Sequence, residues 1–194
     1  HLTLHPATKL FAEFDEESVQ FLDEMGVPVF KIASFDIVNL RLLRDAASRG
    51  RPMIISTGMA DEKEVDKAME CVQSAGASAA LLHCISSYPT PEADANLKAI
   101  WALKKRYSCP VGYSDHTLGI EVAVLAVAAG AQIIEKHFTL DKEKKGPDHA
   151  LSCDPADMKA MVQDIRRVEE ILGTEEIILH EIEKPILQYR RASA

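Results

Sequence analysis

An α/β fold built on a parallel sheet follows from three features of the sequence. Short β-rich apolar runs recur along the chain. Each is followed by an amphipathic stretch of helical period, and the later runs all end in polar residues. Strands alternating with helices imply βαβ units.

The units can be justified in order. KLF at 9–11 is followed by a helical segment at 16–25, closed by Gly26. VFKIAS at 29–34 leads to 37–48, closed by Gly50. PMIIST at 52–57 leads to 61–75, where Asp61 and Glu64 form a capping box and Val65, Met69 and Val72 recur at helical spacing. Gly76 ends that segment, since glycine readily takes the left-handed conformation that closes a helix. AALLHCISS at 79–87 passes through the rigid turn SSYPTP to a helix at 93–106. PVGYSDH at 110–116 leads to 119–129, closed by Gly130. AQIIEKHF at 131–138 is followed by a long loop and a helix at 155–172. That helix opens with Asp154 as N-cap and Pro155 at the first helical position, and Gly173 ends it. Met158, Met161, Val162, Ile165, Val168, Ile171 and Leu172 form its apolar stripe. Beyond it, 174–194 is a mixed tail that Pro185 keeps from being a long helix.

Six units fall short of a complete (β/α)8 barrel of about 250 residues. The expected architecture is a partial (β/α)8 TIM barrel of about six of eight β-α units, lacking the first two, over residues 1–173. With 194 residues and 47% hydrophobic content, the chain can bury a sizeable core as one domain. The formal net charge of -8 argues against nucleic acid as a partner, while a positive pocket for an anionic substrate stays open. Four scattered cysteines with no C-x-x-C pair read as reduced thiols in a cytoplasmic protein. No apolar run approaches a membrane span, so no membrane partner is expected.

Ligands of parallel α/β folds bind at the C-terminal ends of strands. Ser34, Ser56, Ser86, Ser87, Ser114, His116, Glu135 and His137 should therefore converge on one rim. Side-chain alternation puts Ser114 with His116, and Glu135 with His137, while Asp115 and Lys136 point the other way. His116 and His137 end consecutive runs, so the two imidazoles could share one divalent cation, with Asp148 or Glu135 as third-ligand candidates. Two separately hydrogen-bonded histidines are the alternative. The serines suit an anion such as phosphate, although a serine at a strand end is also an ordinary helix cap. Lys31 inside an apolar run needs an anionic partner or an exit to solvent. Tyr88 either lines a pocket or simply packs, and Asp148 and His149 lie in the long loop as functional or as turn residues.

KIAS, ISTGMA, LLHCISSYPTP, VGYSDHTLGI, IIEKHFTLD and GPDHALS, in this order, resemble the sialic acid synthase family over about residues 11–172. That family includes N-acetylneuraminate, legionaminate and pseudaminate synthases and relatives in spore-coat polysaccharide synthesis. The resemblance implies a (β/α)8 barrel that condenses phosphoenolpyruvate with an N-acyl hexosamine, N-acetylmannosamine or a diacetamido analogue. With water, this gives a nonulosonic acid and phosphate. It implies Mn2+ or Mg2+ on His116 and His137, and phosphoenolpyruvate on Lys31, Ser34, Ser56 and Ser114. Sugar contacts fall on Tyr88, Glu135 and Asp148, with Glu135 also handling protons; Ser86 matches a position that carries Asn or Ser. A homodimer is implied for the full-length protein. So are two further β-α units before this stretch and a C-terminal antifreeze-like domain, towards which the tail at 174–194 leads.

One strand end departs from the family pattern. S-T-P-F is replaced by FAEF, so Ala12 stands for a phosphate-contacting threonine and Glu13 adds a negative charge. Two alternatives follow: a barrel without turnover that still binds metal or self-associates, and another phosphoenolpyruvate-dependent sugar-acid synthase. GYSDHT with EKHFTLD argues against the second.

Overall fold

The computed structural model describes residues 12–13 and 15–191. Within them six strands alternate with six α-helices. They are β1 (Ala12–Glu13), α1 (Glu16–Glu24), β2 (Phe30–Ile32), α2 (Leu40–Ser48), β3 (Met53–Ser56) and α3 (Glu62–Ser74). Then come β4 (Ala79–Cys84), α4 (Lys98–Arg106), β5 (Val111–Asp115), α5 (Glu121–Ala128), β6 (Ile134–Lys136) and α6 (Pro155–Leu172). The expected run at 9–11 lies outside the described residues.

All neighbouring strands pair in parallel, and the sheet order is the sequence order, β1 to β6. Each strand beside its successor, with a helix between, is the wall of a barrel. Among the described residues that wall is open, with β1 and β6 at its edges.

The helix ends follow local chemistry. Asp61 accepts from the Glu64 amide and Glu64 accepts from the Asp61 amide, closing the capping box of α3. Asp154 caps α6 in the same way, with Pro155 in the first turn. Gly26, Gly50, Gly76 and Gly130 all take φ between 71° and 93°, the left-handed region a side chain resists. Three helices start later than their apolar pattern. Ser34–Asp36 is a 3-10 turn, and α2 begins only after Asn39, whose side chain accepts from the Leu42 amide. Glu92–Asp94 is another 3-10 turn, and Asn96 at φ 46° breaks the chain before α4. Gly119 at φ 73° delays α5.

Strand alternation sorts the core into two layers. Phe30, Ile32, Met53, Ile55 and Leu81 face outward and pack on Leu42, Leu43, Val65, Met69 and Val72 of the helices. Tyr113 and Ile134 continue this layer beneath Ile100, Val122 and Ala126. Each such side chain contributes about 1.5–3 kcal/mol on burial. Val29, Ile54, Ala80, Leu82 and Ile133 face inward and form a small apolar floor. After Gly173 the chain leaves the core: Glu181–Tyr189 is a 3-10 segment containing Pro185, and Ile177, Ile182, Ile186 and Tyr189 are exposed. No helix among the described residues is long and apolar enough to cross a membrane.

Candidate active site at the strand C-termini

One step above the apolar floor, the inward positions turn polar. Lys31, Ser56 and Glu135 follow the floor residues along their strands and line, with Ser114, Tyr88, His116 and His137, a cavity of about 310 Å³. Lys31 is buried, and its Nζ donates to Ser56 Oγ at 2.8 Å and to the Ile32 carbonyl at 2.9 Å. Glu135 Oε2 lies 3.7 Å from the same ammonium, while Ser114 Oγ donates to Glu135 Oε1 at 2.6 Å. Burial pushes the Lys31 pKa down, and the Glu135 carboxylate opposes that shift. The ammonium is thus held inside a strand by one carboxylate and by oxygens of its neighbours.

The two histidines follow directly on the paired residues Asp115 and Lys136. Their ring centroids are 5.5 Å apart. His116 Nδ1 lies 2.9 Å from the Ile85 carbonyl, an acceptor only, so Nδ1 carries the proton and the Nε2 lone pair is free. Burial lowers the His116 pKa, which favours that neutral, ligating form. Tyr88 covers both rings, with its centroid 4.2 Å from that of His116 and edge-on to His137 at 5.7 Å. Thr90 makes this possible: its hydroxyl donates to the carbonyls of Ile85 and Ser87, and its amide to that of His116, folding the 85–90 turn over the ring. Asp148 Oδ2 stands 4.0 Å from His137 Nδ1.

Ser34 and Ser86 meet at one side of the same rim. Ser34 Oγ accepts from the Gly58 amide at 3.1 Å and lies 3.0 Å from Cys84 Sγ. A Cβ on Gly58 would stand 2.4 Å from Ser86 Oγ and 2.7 Å from both Cys84 Sγ and Ser34 Oγ. Ser86 Oγ is buried without a partner, and Ser86 is not among the residues that line the cavity, so the structure does not bring it into the site, contrary to the expectation from the sequence. Ser87 is exposed and bonds locally to the Pro89 carbonyl. His149 is turned into its own loop, where Nδ1 bonds Thr139 Oγ1 at 2.7 Å.

Two imidazoles, one with its free lone pair fixed, suit a divalent cation whose other positions are filled by water or substrate. Among the described residues no three His, Cys, Asp or Glu side chains converge as a metal cluster, so the arrangement differs from a three-ligand hydrolytic zinc site.

The model of the NeuB family matches residues 8–177. This chain belongs to the NeuB family. It is 48% identical over 185 residues to the N,N'-diacetyllegionaminic acid synthase of Legionella pneumophila, covering 93% of this chain and 52% of that protein. It is 40% identical over 161 residues to the N-acetylneuraminate-9-phosphate synthase of Homo sapiens, covering 82% and 45%. The solved N-acetylneuraminic acid synthetase of Leptospira borgpetersenii, in complex with citrate, superposes with a TM-score of 0.89 at 42% identity, covering 92% of this chain and 63% of that one. The chain spans about half the length of the curated relatives it matches.

Several features of this NeuB rim escape a reading of the sequence. The Ile85 carbonyl, Thr90 and Gly58 act through backbone contacts between strands far apart in the chain, which leave no local pattern. The Asp115–Lys136 pair is legible as pointing away from the rim, but its burial is not.

Proposed function

We propose that the protein carrying this chain condenses phosphoenolpyruvate with an N-acyl hexosamine and water, giving a sialic-type nonulosonic acid and phosphate. The relatives at 40–48% identity are legionaminic and N-acetylneuraminate-9-phosphate synthases, which supports the product class. The observation that carries the reading is the meeting, in one cavity, of a buried ammonium, hydroxyls from three elements, a carboxylate and two adjacent imidazoles.

The geometry supports the roles that the family resemblance implies. Lys31 binds the anionic phosphoenolpyruvate, helped by the hydroxyls of Ser34, Ser56 and Ser114. His116 and His137 would hold a divalent ion, Mn2+ or Mg2+, which when bound would supply Lewis-acid polarisation of the sugar aldehyde. Glu135 exchanges a proton at the aldehyde end, held for it by Ser114. Tyr88 and Asp148 border the sugar side. C3 of the enol bonds to the aldehyde carbon, whose oxygen takes a proton. Water oxygen bonds to C2 and gives up one proton, balancing the one taken by the aldehyde oxygen; the C2–O bond to phosphate then breaks as C2=O forms, and the second proton leaves with the phosphate.

A second reading, a NeuB barrel that binds metal without turnover, is favoured by one feature. Ala12 pairs with Lys31 in the β1–β2 register, and alanine carries no hydroxyl where the family pattern has a threonine. Phosphate release from phosphoenolpyruvate separates the two. The proposed reading expects Mn2+-stimulated release that requires N-acetylmannosamine or its diacetamido analogue and falls at least about a hundredfold in Glu135→Gln. Release indifferent to the sugar and to this substitution rejects it.

A further inference from the structure

The ends of β5 and β6 carry a second constellation: Asp115 and Lys136 border the cavity along the chain, but strand alternation turns their side chains to the opposite face, where they are buried. Asp115 and Lys136 are directly paired in register. Lys136 Nζ donates to Asp115 Oδ2 at 2.6 Å, with side-chain exposures of 1% and 0%. The same ammonium donates to the Thr117 carbonyl at 2.8 Å. Asp115 Oδ1 accepts from the Thr117 amide at 2.9 Å and from its hydroxyl at 2.8 Å, and Thr117 is fully buried.

These bonds bracket the two histidines. Lys136, the residue before His137, grips the chain on both sides of His116, through the Asp115 side chain and the Thr117 carbonyl. A buried ion pair adds little net stability, because desolvation offsets the attraction, even when its hydrogen bonds are satisfied. Its better-attested use is to fix a register. Here a slip of one residue between β5 and β6 would turn one imidazole out of the cavity.

We infer that Asp115, Lys136 and Thr117 form a positioning clamp that holds the His116 and His137 rings side by side at the cavity. None of the three directs a polar side-chain group at the rim; they act through the histidines. The inference rests on the proposed use of those imidazoles as cation ligands, but the clamp itself is a property of the metal-free protein.

The test uses two variants of the whole chain. Asp115→Asn/Lys136→Met removes both charges together and leaves no lone buried ion. Thr117→Val keeps the shape and the ion pair but deletes one hydrogen bond, and it serves where the double variant fails to fold. NMR of the metal-free proteins reads the contact between the His116 and His137 rings. The clamp predicts that the contact is present in the wild type, weakened in Thr117→Val and lost in the double variant. A wild-type ring contact that survives in the folded double variant, or in Thr117→Val where the double variant does not fold, overturns the clamp. So does a wild type lacking that contact. Mn2+ binding is the second readout, expected to weaken about tenfold in the double variant. A wild type that binds no Mn2+ defeats the proposed metal site while leaving the ring-contact arm to decide the clamp.

Discussion

Alternation of side chains along the strands decides which groups meet at the rim. Ser114 and Glu135 share the inner face and bond to each other, and Asp115 and Lys136 point outward, as a two-residue period requires. Lys31 was marked by its cost: an ammonium in an apolar strand demands an anion, and Glu135 is that anion. Gly58 was not marked, because what it needs is empty space, and its neighbours come from two other strand ends. Gly58→Ala puts a methyl group within 2.7 Å of Ser34, Cys84 and Ser86 side-chain atoms. The substitution should destabilise the fold by roughly 1–3 kcal/mol, as overpacking does, and weaken phosphoenolpyruvate binding through displaced Ser34. Denaturant unfolding and ligand titration of the variant check both effects.

Among the elements, strands and helix caps were the legible part, and helix starts the illegible one. The capping signals at Asp61 and Asp154 depend on residues three apart and are local. The starts of α2 and α4 are set by 3-10 turns that share the composition of a helix, so the pattern at 37 and 93 ran ahead of the structure. Helix pairing also rests on polar contacts the sequence leaves unpaired. Asp66 of α3 accepts from Arg106 at the end of α4 and from the Tyr107 hydroxyl at 2.7 Å. The Arg106 and Tyr107 hydrogen bonds pull the Asp66 pKa from 3.8 to about 2. A carboxyl whose folded value is depressed stabilises fully above its unfolded pKa and ceases to do so as pH falls through the folded one. Asp66→Asn should therefore lower the melting temperature at pH 7, with the gap to wild type narrowing below pH 3.8 and closing near pH 2. Thermal unfolding across that range checks the sign.

For the whole molecule, strand order equal to sequence order and a polar rim above an apolar floor were both foreseeable from the β-α alternation. Among the described residues the sheet ends in two open edges, and the floor borders a cavity of about 460 Å³ lined by Val29, Ile54, Ala80 and Ile133. Unpaired edges and exposed apolar surface favour association. Expressed by itself, the chain should scatter light as a multiple of its 21.4 kDa mass, and a monodisperse monomer would contradict that. The account as a whole stands on the paired imidazoles above this floor. Titration of Mn2+ into the chain, followed by electron paramagnetic resonance, tests them most directly. One site per chain is predicted, abolished by His116→Ala and by His137→Ala alike. Affinity unchanged in either variant contradicts it.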